Sequence, residues 1–213
     1  KKWYKGSSLL KLLEDIDLTN NTIRSQPFRM PVQLVNRPNS DFRGISGKVA
    51  SGYISKNDEI SIFPSGKKTK VKEIISPIGS IDKCLPGQSI TLTFKDEIDC
   101  SRGNIISSVK SPLQISYQFE ATIVWMDEKP FVPGRAYNLK IGCLELQASC
   151  AHPKYKINTE TNEHIATKNL ELNDIGNVVL TTVHEIPFTS YQESRDLGGF
   201  ILIDKVSNVT VCL

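Results

Sequence analysis

From Gln26 to the last of its 213 residues, this chain repeats its hydrophobic pattern at a period near two, interrupted by Gly, Pro, Asn and Asp. Such alternation sends successive side chains to opposite faces, the mark of strands with one buried and one wet face. Many short strands at regular spacing would leave sticky edges in an open sheet, so the pattern predicts small closed antiparallel barrels. In the first half, strands are expected at 31–35, 45–54, 59–63, 70–75, 89–94 and 104–108. Turn chemistry separates them, as at Pro64-Ser65-Gly66-Lys67 and Leu85-Pro86-Gly87-Gln88. Ser111-Pro112 marks a boundary, because proline restricts the residue before it and ends a ladder. A second set is expected at 117–125, 136–141, 144–151, 164–170, 177–183, 199–206 and 208–213. The fold class is therefore mainly β: two consecutive antiparallel β-barrels, residues 26–110 and 111–213, behind an N-terminal segment 1–25.

Within 1–25, Leu9, Leu12, Leu13 and Ile16 recur at helical spacing, and Ser7 or Ser8 can cap the first turn. Asn20 and Asn21 are expected to break that pattern. One face of this short helix is apolar and must pack on something.

Composition excludes several classes. The 26 Lys and Arg against 23 Asp and Glu leave a formal charge of +3, too little to imply binding to nucleic acid. No apolar run approaches the roughly 20 residues that span a bilayer, and no secretory signal core opens the chain, so no membrane role is expected. Five cysteines, an odd number with no C-x-x-C spacing, argue for reduced, buried thiols and a cytoplasmic setting.

Motifs that would carry chemistry are incomplete. Ser65-Gly66-Lys67-Lys68-Thr69 lacks the first glycine of a phosphate loop and reads as a hairpin tip followed by an alternating Lys68, Lys70, Lys72 face. Asp41-Phe42-Arg43-Gly44 and Asp196-Leu197-Gly198-Gly199 resemble a GTPase switch string, but that role needs a phosphate loop upstream. Cys143, Cys150 and His152 lack the paired short spacings of a zinc site. Neither Cys100 nor Cys212 has a local signature tying it to His152, His164 or His184 as a base. Asp96, Glu97 and Asp99 sit in a turn-like stretch where charges are usually solvated. No catalytic, cofactor-binding or metal-ligating residue is assigned.

Three strings in order resemble the second domain of translation-factor GTPases. They are the glycine-punctuated Gly44-Ile45-Ser46-Gly47-Lys48-Val49-Ala50-Ser51-Gly52-Tyr53-Ile54, then Leu85-Pro86-Gly87-Gln88, then Ser101-Arg102-Gly103-Asn104-Ile105-Ile106. Trp3-Tyr4-Lys5-Gly6-Ser7-Ser8-Leu9-Leu10 is similar to the junction that leaves the GTP-binding domain in that superfamily. Within it, Phe28-Arg29-Met30-Pro31-Val32-Gln33 and Val35-Asn36-Arg37-Pro38-Asn39-Ser40-Asp41-Phe42-Arg43-Gly44 resemble the large GTPase subunits of bacterial sulfate adenylyltransferases. Pro133-Gly134-Arg135-Ala136-Tyr137 and the stretch from Gly198 to Val211 support that likeness.

The resemblance implies the barrel domains, II and III in type, of a subunit that couples GTP hydrolysis to the making of adenylyl sulfate from ATP and sulfate. It implies that the GTP-binding domain, with its GTP and Mg2+, lies outside this segment. It further implies two partners, the protein's own GTPase domain and the small adenylyltransferase subunit of a heterodimer. Arg37, Asn39, Asp41 and Arg43 are the candidate partner or interdomain contact, since their loop is polar, charged and longer than a barrel hairpin requires. The rival reading places the barrels in a translation elongation or release factor.

Overall fold

The computed structural model describes residues 3–16 and 21–213, and the positions between 16 and 21 on which the sequence places a helix end lie outside it. Two short helices come first, α1 (Leu9–Asp15) and α2 (Asn21–Ser25). Ser8 caps α1 by accepting a hydrogen bond from Lys11 N at 3.3 Å, and none of the helix's residues is buried. Asn21, expected to break a helix, begins the second one.

Ten strands follow: β1 (Arg29–Pro31), β2 (Leu34–Asn36), β3 (Gly44–Lys48), β4 (Ile54–Ser55), β5 (Glu59–Phe63), β6 (Lys67–Ser76), β7 (Gly79–Ile81), β8 (Lys83–Cys84), β9 (Ser89–Phe94) and β10 (Ile105–Ser108). Every pairing is antiparallel, in the order β1-β10-β5-β6-β9-β3-β2, with β7 on β6 and β4 on β8 as a separate pair. The segment after β3 then returns to β1, with Arg29 N donating to Ser51 O and Ala50 N to Arg29 O. The pairings thus run in a circuit of six strands, joined at one seam by an isolated bridge instead of a ladder. Inside lie Met30, Ile45, Ile60, Ile62, Val71, Ile74, Leu92 and Ile106, all nearly inaccessible to water.

The second sheet contains β11 (Gln114–Val124), β12 (Ala136–Ile141), β13 (Leu144–Cys150), β14 (Tyr155–Ile157), β15 (His164–Ile165), β16 (Ile175–Phe188), β17 (Phe200–Asp204) and β18 (Thr210–Cys212), with a short helix α3 (Arg195–Gly198) before β17. Its order is β15-β14-β16-β13-β12-β17-β18, with β11 on β16. A second seam closes by Val124 N to Leu213 O and Met126 N to Val211 O. Trp125 fills the centre, its ring edge-on to Phe131 and Tyr137 at centroid distances of 5.2 and 6.1 Å. Its indole N–H finds Lys129 O at 2.8 Å, the partner a buried indole needs. Among the described residues no helix is long and apolar enough to cross a membrane.

Strand interiors follow the sequence pattern and strand ends do not. The expected strand 45–54 splits in two: the ladder with β9 ends at Lys48, and Gly52 takes a left-handed φ of +64° before β4 begins at Ile54. The expected strand 164–170 stops at Ile165. Leu170, though fully buried, reaches the core from a loop, so its hydrophobicity marks packing and not a ladder.

Glycine is indispensable where backbones touch. A Cβ at Gly47 would lie 2.3 Å from Pro31 O, where strand meets strand, whereas one at Gly66 would meet nothing within 4 Å but would sit at a φ of +70°. Gly47→Ala is expected to cost about 2–3 kcal/mol of stability, read as a lowered denaturant midpoint, as overpacking does. Gly66→Ala is expected to cost about 1 kcal/mol, for backbone strain alone.

Candidate functional site

The loop joining β2 to β3 presents the four residues singled out from the sequence, and they divide the labour. Asn39 folds the loop on itself, its Oδ1 accepting from Asp41 N at 3.1 Å and Phe42 N at 2.9 Å, a side chain standing in for a turn's carbonyl. Phe42 packs where Gly44 leaves room, since a Cβ on Gly44 would fall 2.7 Å from its ring. Arg43 is half-buried and ties the loop down, donating to Cys100 O at 3.3 Å and pairing with Asp99 at 3.6 Å. Arg37 and Asp41 remain exposed, and Ser40 Oγ donates to Asp41 Oδ1 at 3.1 Å.

Folded this way, the loop walls a cleft of about 430 Å³ against β6 and the end of β9. Lys72, Glu73, Thr93 and Lys95 complete it. The pairing register shifts between Val71 and Glu73, and at this irregularity Lys72 stands exposed. Of the acids that read as merely solvated, Asp96 accepts from Thr69 Oγ1 at 2.7 Å and Asp99 fixes Arg43. Thr93 escaped sequence reasoning because an outward threonine on an alternating strand looks like solvent-facing filler.

A second feature joins the two sheets. Phe63 of β5 and Ile105 of β10 pack with Leu113, Ile115 of β11 and Leu197 of α3. Beside this apolar contact Arg29, 3% exposed, spends its guanidinium on the crossing: Nη1 donates to Ser107 Oγ and Ser111 O at 2.6 Å each, and Nη2 to Ser111 Oγ at 3.2 Å. Burial lowers its pKa and the nearby Glu193 opposes that. Gln26 Nε2 adds a bond to Glu193 O at 2.9 Å. Gly103, at a φ of +91°, meets Leu144 with no room to spare, a Cβ there lying 3.0 Å from Leu144 Cδ1. The Asp196-Leu197-Gly198-Gly199 string is thus part of the joint, with Leu197 in its apolar cluster.

The remaining strings resolve into structure. Ser65-Gly66-Lys67 is the tight turn between β5 and β6, with Gly66 N bonded to Ile62 O, so its amides are spent within the hairpin and do not fit a nucleotide's phosphates. Cys150 is buried in the second core while His152 is exposed. Burial pushes the Cys100 and Cys150 thiols up to about 12 and Cys84 to about 11, so at neutral pH they are protonated and poor nucleophiles. Pro133-Gly134-Arg135 and Asp204-Lys205-Val206-Ser207 meet: Arg135 pairs with Asp204, whose Oδ1 also accepts from Val206 N and Ser207 N, both at 2.9 Å.

Two successive antiparallel sheets, each a six-strand circuit and sharing a joint, have the fold of the β-domain pair seen in solved translation-factor GTPases. The chain overlays Sup35 solved with GDP at a TM-score of 0.81 and 21% identity, covering 99% of this chain and 52% of that one. It overlays the elongation factor SelB of Methanococcus maripaludis at 0.73 and 17%, covering 95% and 44%. Residues 118–213 match the GTP-eEF1A C-terminal domain-like family. In sequence, the chain is a homologue of part of sulfate adenylyltransferase subunit 1. It is 42% identical to that of Saccharophagus degradans (strain 2-40) and 44% to that of Aliivibrio fischeri (strain MJ11), each over 98% of this chain and 44% of the relative. The bifunctional enzyme NodQ of Rhizobium sp. (strain N33) is 41% identical over 99% of this chain and 32% of its own. The chain spans less than half the length of these curated relatives.

Two outcomes follow for the joint and for the Asp204 turn. Arg29→Met is expected to cost about 3 kcal/mol in chemical denaturation, because Ser107 Oγ, Ser111 Oγ and Ser111 O lose a charged donor in a dry place. Asp204 is held below the usual carboxylate range chiefly by the Ser207 N–H, with Val206 N–H, the Ser207 hydroxyl and Arg135 adding to it. A depressed folded pKa stabilises above the unfolded value and is lost as pH falls through the folded one. Asp204→Asn should therefore unfold at lower urea than the parent at pH 7, with the gap closing at the acid end of a urea titration series.

Proposed function

We propose that this chain is the β-domain part of a GTP-coupled sulfate adenylyltransferase large subunit, acting in the cytoplasm as the structural link between a GTPase domain and the small adenylyltransferase subunit of a heterodimer. The observation that carries the reading is identity of 42–44% to subunit 1 sequences along 98% of the chain. Likeness to Sup35 and SelB supports a translation-factor role only at the level of fold, at 21% and 17% identity.

On this reading residues 1–25 are the end of the GTPase domain, 26–110 the first barrel domain and 111–213 the second. The helix α1 fits that assignment, since Leu9, Leu12 and Leu13 are 72, 50 and 60% exposed and form an apolar face suited to cover from a preceding domain. GTP and Mg2+ would be held in that domain, and adenylyl transfer from ATP to sulfate would occur on the small subunit. The barrels' part is mechanical: a nucleotide switch biases a distant equilibrium only through an element that makes different contacts in its two states. A pair of domains locked by Arg29 and the Phe63–Leu113 cluster moves as one such element, and the loop of Arg37, Asn39, Asp41 and Arg43 is its contact with the partner.

Light scattering on a sizing column, with this chain mixed with the small subunit, tests the assignment. Co-elution as a heterodimer is the expected outcome. Separate peaks, under conditions where the full-length large subunit does bind, would move subunit recognition to the GTPase domain and remove the contact role from the loop.

A further inference from the structure

The segment between β9 and β10 touches parts of the molecule that the sequence holds far apart. On one side Arg43, from the 37–43 loop, grips it: Nη2 donates to Cys100 O at 3.3 Å and pairs with Asp99 at 3.6 Å. In the middle Cys100, 1% exposed, is anchored in the first core. On the other side Gly103 lies against Leu144, which packs on the second core. One short segment therefore borders both the candidate contact loop and the second domain.

Its far half is stiff. Ser101 N donates to Asn104 Oδ1 at 2.8 Å and Asn104 N to Ser101 O at 3.1 Å, closing residues 101–104 into a turn. Gly103 N and Arg102 Nη1 tie that turn to Val32 O and Gln33 O, at 3.0 and 2.7 Å, on the run that leads into β2. Even a methyl group on Gly103 would press on Leu144 Cδ1 at 3.0 Å, and a contact with so little slack passes displacement on instead of absorbing it. Beyond Leu144 the β12–β13 turn approaches α3, where a Cβ on Gly142 would stand 3.9 Å from Asp196 O. The next residue, Leu197, belongs to the joint.

The grip, by contrast, is partial. Nη2 makes both contacts with the segment, its hydrogen bond is longer than is usual, and Arg43 Nε is buried without a partner. The Asp99 side chain is 90% exposed, and an ion pair so open to water adds little.

We propose that residues 99–104 form a strap coupling the 37–43 loop to the second domain, by a route separate from Arg29. With Arg43 in place the strap is held against Leu144. When the loop is displaced and Arg43 lets go, the 101–104 turn shifts as a unit and the β12–β13 turn shifts with it. The strap is thus the two-position element that both ends bias. That a partner does the displacing rests on the two-subunit assignment; the strap itself does not.

The test needs this chain alone, isotope-labelled for amide NMR. Arg43→Met is expected to shift the resonances of residues 99–104 and, past them, of Gly142, Cys143 and Leu144. Arg37→Met, in the same loop but off the strap, is expected to shift those of the loop alone. Asp99→Ala changes an exposed side chain and leaves the cores intact, so it serves even if Arg43→Met folds poorly; it is expected to move the same resonances in the same direction by less. Leu144→Ala should in return shift the side-chain Nε–H resonance of Arg43, because coupling is reciprocal. Shifts from Arg43→Met and Asp99→Ala that stop at Asn104 would overturn the strap, as would an Arg43 Nε–H indifferent to Leu144→Ala. Either result leaves the two-subunit assignment standing, since complex formation with the small subunit tests that separately.

Discussion

The arrangement of the molecule turns on one guanidinium taken out of water. Arg29 lies on the seam where β1 meets the segment after β3, and its side chain reaches across to Ser107 and Ser111. A buried charge is tolerable only when most of its donors are used: Nη1 and Nη2 find acceptors on β10 and on the stretch that leads into the second sheet, and Nε alone finds none. The first circuit's closure, through Arg29's backbone, and the link to the second sheet, through its guanidinium, therefore meet in one residue. The apolar cluster of Phe63, Ile105, Leu113 and Leu197 supplies the area, and the guanidinium supplies the direction.

Closure also explains where the glycines and prolines fall. Each circuit is completed by bridges at a seam, not by a continuous ladder, and backbone there lies close to backbone. Gly47, where a Cβ would lie 2.3 Å from Pro31 O, and Gly52, where it would lie 2.4 Å from Phe28 N, are two such places at the first seam. Pro187 sits within β16 opposite Ile115, where the ladder tolerates a residue without an N–H.

Much of this was legible. Strand interiors such as 59–63, 89–94 and 136–141 were read at their observed bounds because alternation there coincides with burial on one face. Strand ends, the β14–β15 hairpin, α2 and α3 were not, since short elements at a sheet's edge are held by tertiary packing and carry little periodicity. The loop of Arg37, Asn39, Asp41 and Arg43 stood out by its polarity and length, and the structure brings the four into one wall. What the pattern hid is the opposite wall: Thr93 and Lys95 are adjacent to the loop only through the β3–β9 pairing, a contact between residues some fifty positions apart in sequence. Arg29 was quoted as part of a family string with no role attached, because burial of an arginine is a property of the joint and invisible in the strand that carries it.

One strand unites the second half of the chain. The fourteen residues of β16 pair with β14 near Ile175, with β13 at its middle, and with β11 at both ends, finishing beside Ile115 at the joint. One continuous stretch of backbone thus runs from the outlying β14–β15 hairpin to the Phe63–Leu113 contact. Its ladder with β11 breaks at residues 182–185, and a strand bends where its ladder is interrupted. The second sheet therefore carries a built-in elbow between its outlying hairpin and the joint.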